Sequence, residues 1–88
     1  MAHIIKNRKE FLVIKCSRSE IIQATKGVGI CDGCNSGALE GYYIAVLNRW
    51  YCPECYEDWY ERAVNYPEDR DVERRNYELY AMLLRVND

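Results

Sequence analysis

Histidine is nearly absent, with His3 the single example in 88 residues. Sites that need several histidines as metal ligands and general bases therefore cannot be assembled from this chain. Long apolar runs are also missing. None approaches the roughly 18 to 20 residues that span a bilayer, and His3, Lys6, Arg8, Lys9, Glu10 and Lys15 interrupt any signal-peptide-like core near the start. A cytoplasmic location is the expectation. A large excess of one charge is missing too, since 12 basic and 14 acidic side chains leave a formal net charge of -2 and a pI near 5.4. Repeats, low-complexity tracts and long linkers are lacking, so residues 1–88 are expected to form one domain.

What is present is a folding composition, 49% hydrophobic and 30% charged, which excludes a disordered tail. A domain of this size buries only about 60 to 65% of its unfolded surface, so a covalent or metal staple would help considerably. The five cysteines offer one. An odd number leaves at least one unpaired in any intramolecular disulfide scheme, and no oxidising compartment is indicated, so metal ligation or thiol chemistry is favoured. Residues 1–30 hold six basic and two acidic side chains, whereas residues 31–88 hold six basic and twelve acidic. Thiolate ligands would make the second half more negative still, which disfavours nucleic-acid binding there.

Phe11-Leu-Val-Ile14 reads as a buried strand, with Ile4-Ile5 as its extension. Ser17 and Glu20 have capping-box spacing and open a short helix over 18–26, which Gly27 and Gly29 end. Gly41 to Tyr51 reads as a hairpin, with Tyr42–Leu47 as one strand, Asn48-Arg49 at the turn and Trp50-Tyr51 returning. Pro53 and Glu54 suit a helix start, and Cys52, Cys55, Tyr56, Trp59, Tyr60 and Ala63 fall on one face of it. Pro67 ends that helix. A second one opens at Glu68-Asp69 and runs to about Val86, with Val72, Leu79, Tyr80, Leu83 and Val86 at core-like spacing. The resulting parts are an N-terminal strand and helix extension (1–30), a central segment (31–66) and a C-terminal helix (67–88).

Cys31-Asp-Gly-Cys34 and Cys52-Pro-Glu-Cys55 are two Cys-x-x-Cys pairs whose separation fits one tetrahedral metal site. Soft thiolates select zinc, with iron the main competitor. The alternative is two independent buried or redox-active pairs, since Cys52 stands where a helix N-terminus would activate a thiolate. Asn35 after Cys34 accepts the left-handed conformation that closes a zinc knuckle, whereas Cys55 leads into an amphipathic helix. One pair thus sits on a knuckle and the other on a helix start, with a hairpin between.

This arrangement over residues 31–64 resembles the treble-clef zinc finger family. Leu47-Asn-Arg-Trp-Tyr-Cys-Pro-Glu-Cys55 is similar to the middle of a single LIM-type zinc module. The resemblance implies an α+β, zinc-stabilised treble clef with Cys31 and Cys34 from the knuckle and Cys52 and Cys55 from the helix as metal ligands, one structural Zn2+ per chain. A LIM domain carries a second module downstream, and no cysteine or histidine follows Cys55, so LIM biology is not carried over.

Cys16 reads as a small core residue or a spare thiol, and His3 as a weak ligand candidate near a terminus. Four cysteines would close the coordination shell, leaving no open position for a catalytic water, and the chain is expected to have no enzymatic activity. Residues 77–86 are apolar nearly all round, more than one side of a small domain can bury, which points to a protein partner or homodimer surface. The competing class is a nucleic-acid binder using Lys6, Arg8, Lys9, Lys15, Arg18 and Lys26, with Tyr42, Tyr43 or Trp50 stacking on bases.

Overall fold

The computed structural model describes residues 2–86, and residues 87 and 88 of the expected C-terminal segment lie outside it, as does Met1. Four strands, β1 (His3–Ile5), β2 (Val13–Ser17), β3 (Glu40–Ile44) and β4 (Arg49–Tyr51), form one antiparallel sheet in that order. Three helices accompany it: α1 (Arg18–Thr25), α2 (Pro53–Arg62) and α3 (Arg70–Leu83), the last preceded by one 3-10 turn at Pro67–Asp69.

Ile4-Ile5 is not an extension of the next strand but a separate one, with Ile4 opposite Ile14 and Ile5 opposite Val13. The break between them has a local cause. The Asn7 side chain accepts from Phe11 N at 3.0 Å and donates to Phe11 O at 2.8 Å, and Glu10 takes a φ of 61°, so residues 7–11 turn the chain back. Phe11 and Leu12 therefore precede β2 instead of opening it. β3 likewise ends at Ile44, because Ala45 already begins the turn by accepting from Asn48 N at 3.1 Å. Asn48 supplies the left-handed residue, with φ 55°. At the end of α1 the left-handed position falls on Lys26, with φ 61°, one residue before the expected glycine.

Both faces of the sheet are covered, which is why its apolar runs are continuous instead of alternating. On one face Ile14, Cys16, Tyr43 and Trp50 pack with Ile21 of α1 and with Leu84, and Tyr80 of α3 stacks on Tyr43 with ring centroids 4.0 Å apart. On the other, Tyr56 of α2 stacks on Tyr42 at 4.3 Å and Trp59 meets Phe11 at 4.8 Å. Val13, Ile14 and Ile44 are completely buried. Gly41 lets the Trp50 ring lie across β3: a Cβ there would sit 2.6 Å from the indole and 2.5 Å from Tyr51 O.

Helix α3 is rotated from the expected orientation. Val72, Leu79 and Leu83 are exposed, while Glu73 is only 4% exposed and Tyr80 and Val86 pack against the core. Part of the cause is polar. Glu73 Oε2 accepts from Leu12 N at 2.9 Å, and Asn76 Nδ2 donates to Ala45 O at 2.9 Å, so two strand-end backbone groups find partners on α3. The same orientation packs Tyr77, Tyr80, Ala81 and Leu84 in or against the core, so it buries aromatic and small side chains in place of the three aliphatic ones.

Lys9 closes the C-terminal end of α2. Its ammonium donates to Tyr60 O, to Ala63 O at 2.9 Å and to Glu61 O at 3.4 Å, and lies 4.8 Å from the Tyr60 ring centroid. Asn65 Nδ2 donates to Lys9 O at 2.7 Å, binding the same loop. Positive charge on terminal carbonyls is favourable to the helix dipole. Lys9→Met should lower stability by about 1 to 2 kcal/mol, read as an earlier urea midpoint with an unchanged slope. An unchanged midpoint would show the contacts to be energetically idle.

Candidate metal centre

The sulfur atoms of Cys31, Cys34, Cys52 and Cys55 all lie within 4.8 Å of one another. The first pair sits on a tight loop. Asn35 N donates to Cys31 O at 2.8 Å and Asn35 takes a φ of 64°, while Cys31 N donates to Ser36 O at 2.9 Å. Inside the loop Cys31 Sγ accepts from Gly33 N at 3.3 Å and Cys34 N at 3.5 Å. A Cβ on Gly33 would sit 3.2 Å from Cys55 Sγ, so the loop closes directly on the second pair. That second pair belongs to α2. Cys52 is its N-cap residue and Cys55 lies in its first turn, with Pro53 at the start.

Asp32 aligns the two halves. Its N donates to Trp50 O and its Oδ2 accepts from Trp50 N, both at 2.9 Å, so the loop is hydrogen-bonded to β4 two residues before Cys52. Sequence reading missed Asp32 and Gly33 as positioning residues. Their signal was only their location inside the first Cys-x-x-Cys.

Burial and hydrogen bonding divide the four thiols. Burial opposes ionisation of Cys31, but backbone N–H groups of Cys52, Cys34 and Gly33 outweigh it and lower its pKa. Cys34 is lowered to about 6, first by the Ser36 hydroxyl 3.2 Å away and then by the Ser36 N–H. Cys55 is raised, first through its hydrogen bond with Cys34 and then by desolvation.

The spacing fits a metal held by four sulfurs. Zinc–sulfur bonds of about 2.3 Å place the sulfurs of a regular tetrahedron about 3.8 Å apart. Cys34 Sγ and Cys52 Sγ are 3.8 Å apart. No disulfide joins any of the five cysteines.

The other candidates lie elsewhere. Cys16, on β2 opposite Gly41, is 2% exposed and outside the cluster. Burial, and secondarily the Glu20 charge, pushes its thiol up to about 12. It is a core residue. His3 is on β1, at the opposite edge of the sheet from β4, and contributes nothing to the cluster. Tyr43 and Trp50 are 1% and 3% exposed and Tyr42 is stacked under Tyr56, so these rings do not offer the stacking surface that the competing nucleic-acid reading would use. Lys9, one of the six cations proposed for nucleic acid, is occupied by α2. Among the described residues no helix is long and apolar enough to cross a membrane. Compared with known protein families, curated sequences and solved structures, the chain shows no significant match to any of them.

Proposed function

We propose that this chain is a zinc-stabilised, non-enzymatic protein-interaction module of the treble-clef kind, with one structural Zn2+ held by Cys31, Cys34, Cys52 and Cys55. The observation that carries the reading is the convergence of four sulfurs within 4.8 Å from a loop on one side and a helix N-terminus on the other. Four thiolates complete a tetrahedral shell, so the metal would crosslink the loop to α2 and leave no position for substrate. Zinc is the ion we assign to this soft donor set, with iron its main competitor, and its role would be to add folding free energy to a small core.

Native mass spectrometry of protein purified without added metal should find one zinc per chain. Chelation should remove it together with most of the circular dichroism signal. A metal-free chain that keeps its spectrum would refute the structural role.

The interaction half of the reading is supported by α3. Val72, Leu79, Met82 and Leu83 are exposed on it, Met82 by 69%, and they follow helical spacing. Because these side chains are outside the core, Leu79→Glu with Met82→Glu should change folding stability by no more than about 0.5 kcal/mol. Binding to any protein partner recovered from the native source should nonetheless be lost. A partner bound equally well by the double variant would place the interaction on another surface.

A further inference from the structure

The four sulfurs are not equally protected. Cys31 is fully buried and its Sγ lies under the N–H groups of Gly33 and Cys34, and Cys52 is 7% exposed. Cys55 is half-buried, with Gly33 of the loop close against its sulfur. Cys34 alone is exposed, and the residues that follow it, Asn35, Ser36 and Gly37, are exposed as well. Its sulfur is also 3.8 Å from Cys52 Sγ. Accessibility and sulfur spacing therefore converge on one corner of the cluster.

We infer that Cys34 is the modification site of this protein, the thiolate that reacts first with electrophiles and hydroperoxides, and that its modification releases the zinc. The inference rests on the zinc reading above and adds to it an entry point and an order of events. With a maleimide, Cys34 sulfur adds to the carbon–carbon double bond. A carbon–sulfur bond forms, the displaced electron pair takes a proton from water, and the metal–sulfur bond is lost. With a hydroperoxide, Cys34 sulfur attacks the terminal oxygen, the oxygen–oxygen bond breaks and hydroxide or alkoxide leaves, giving a sulfenic acid. Cys52 thiolate then attacks that sulfur, a disulfide forms and hydroxide leaves. Two thiolates lose two electrons in all, and hydrogen peroxide with two protons becomes two waters. The 3.8 Å gap closes to a bond of about 2.05 Å from the exposed side of the cluster.

The test uses the full chain loaded with one zinc and treated with one equivalent of N-ethylmaleimide, with released zinc followed by a chromogenic chelator and modified cysteines mapped by peptide mass spectrometry. Cys34 should be labelled at least about tenfold faster than Cys31 or Cys52, in step with zinc release, and buried Cys16 should remain unlabelled. Hydrogen peroxide should give a Cys34–Cys52 disulfide as the first mapped crosslink. Cys34→His, which keeps a fourth ligand, should slow maleimide-driven zinc release about tenfold. Equal labelling of the four cysteines, labelling led by another of them, or release unchanged by Cys34→His would overturn the inference while leaving the zinc reading intact. A chain that takes up no zinc would overturn that reading and the release step with it, and the labelling order in metal-free protein would remain as the separate result.

Discussion

Cys52→Ala is expected to leave the chain largely unfolded at room temperature. Cys52 is both a proposed zinc ligand and the N-cap residue of α2, 7% exposed and 3.8 Å from Cys34 Sγ. Structural zinc contributes on the order of 10 to 16 kcal/mol of apparent binding energy in small domains, comparable to the roughly 5 to 15 kcal/mol by which whole domains are usually stable. Losing one of four ligands forfeits much of that sum. The local consequences compound it, because α2 carries Tyr56, Trp59 and Tyr60, the aromatic cover over Tyr42 and Phe11. Cys16→Ala is the control. It removes a thiol from the core without touching the cluster and should cost about 1 to 2 kcal/mol, the scale of a small cavity. Circular dichroism and zinc content of the two variants give the comparison. A well-folded Cys52→Ala protein would mean that the sheet and helices stand without the metal.

The second large effect belongs to Tyr43. Its ring is 1% exposed, stacked on Tyr80 and paired across the sheet with Ile14 and Trp50. Tyr43→Ala should destabilise the zinc-loaded protein by about 3 to 5 kcal/mol, combining lost apolar transfer with an unfilled cavity between sheet and α3. Tyr43→Phe keeps the ring and removes only the hydroxyl, which donates to Asn48 Oδ1 at 2.7 Å, and should cost about 1 kcal/mol. The contrast separates packing from the turn's hydrogen bond. Alkali should expose the same residue. Burial, and then the neighbouring Tyr80, raises the Tyr43 pKa above its ordinary 10.0, so its neutral form is favoured in the fold. Above that ordinary value the unfolded chain ionises while the folded one does not, and stability falls as pH rises. Equal losses for Tyr43→Ala and Tyr43→Phe in denaturant titration would contradict the packing account.

The features legible in the sequence were those with short-range causes. Ser17 and Glu20 form the reciprocal capping box at 3.2 and 2.9 Å, and Asn35 and Asn48 take the left-handed conformations that their turns require. Pro53 stands at the start of α2. Each depends on neighbours within four residues, so the pattern of side chains is sufficient. The four-cysteine cluster was legible for a related reason: each pair needs only its own turn, and the hairpin between them is itself local.

What escaped depends on contacts distant in sequence. The rotation of α3 brings Glu73 to Leu12 and Asn76 to Ala45, 61 and 31 positions away, and packs Tyr77, Tyr80 and Ala81 against the core; helical periodicity carries no information about strand-end donors and acceptors. Aliphatic spacing therefore pointed to the wrong face. Lys9, within the basic N-terminal segment, is a case of the same kind. Lys9 reads as a free cation until the α2 carbonyls, 51 or more positions later, are found beneath it. Likewise, Tyr43 and Trp50 suggest stacking platforms only while the helix that covers them is unknown.

Zinc K-edge X-ray absorption on protein purified without added metal tests the central claim most directly. The account predicts one zinc per chain with four sulfur neighbours at about 2.3 Å and no lighter atom in the first shell. Absence of a zinc edge, or a first shell containing nitrogen or oxygen, would contradict it.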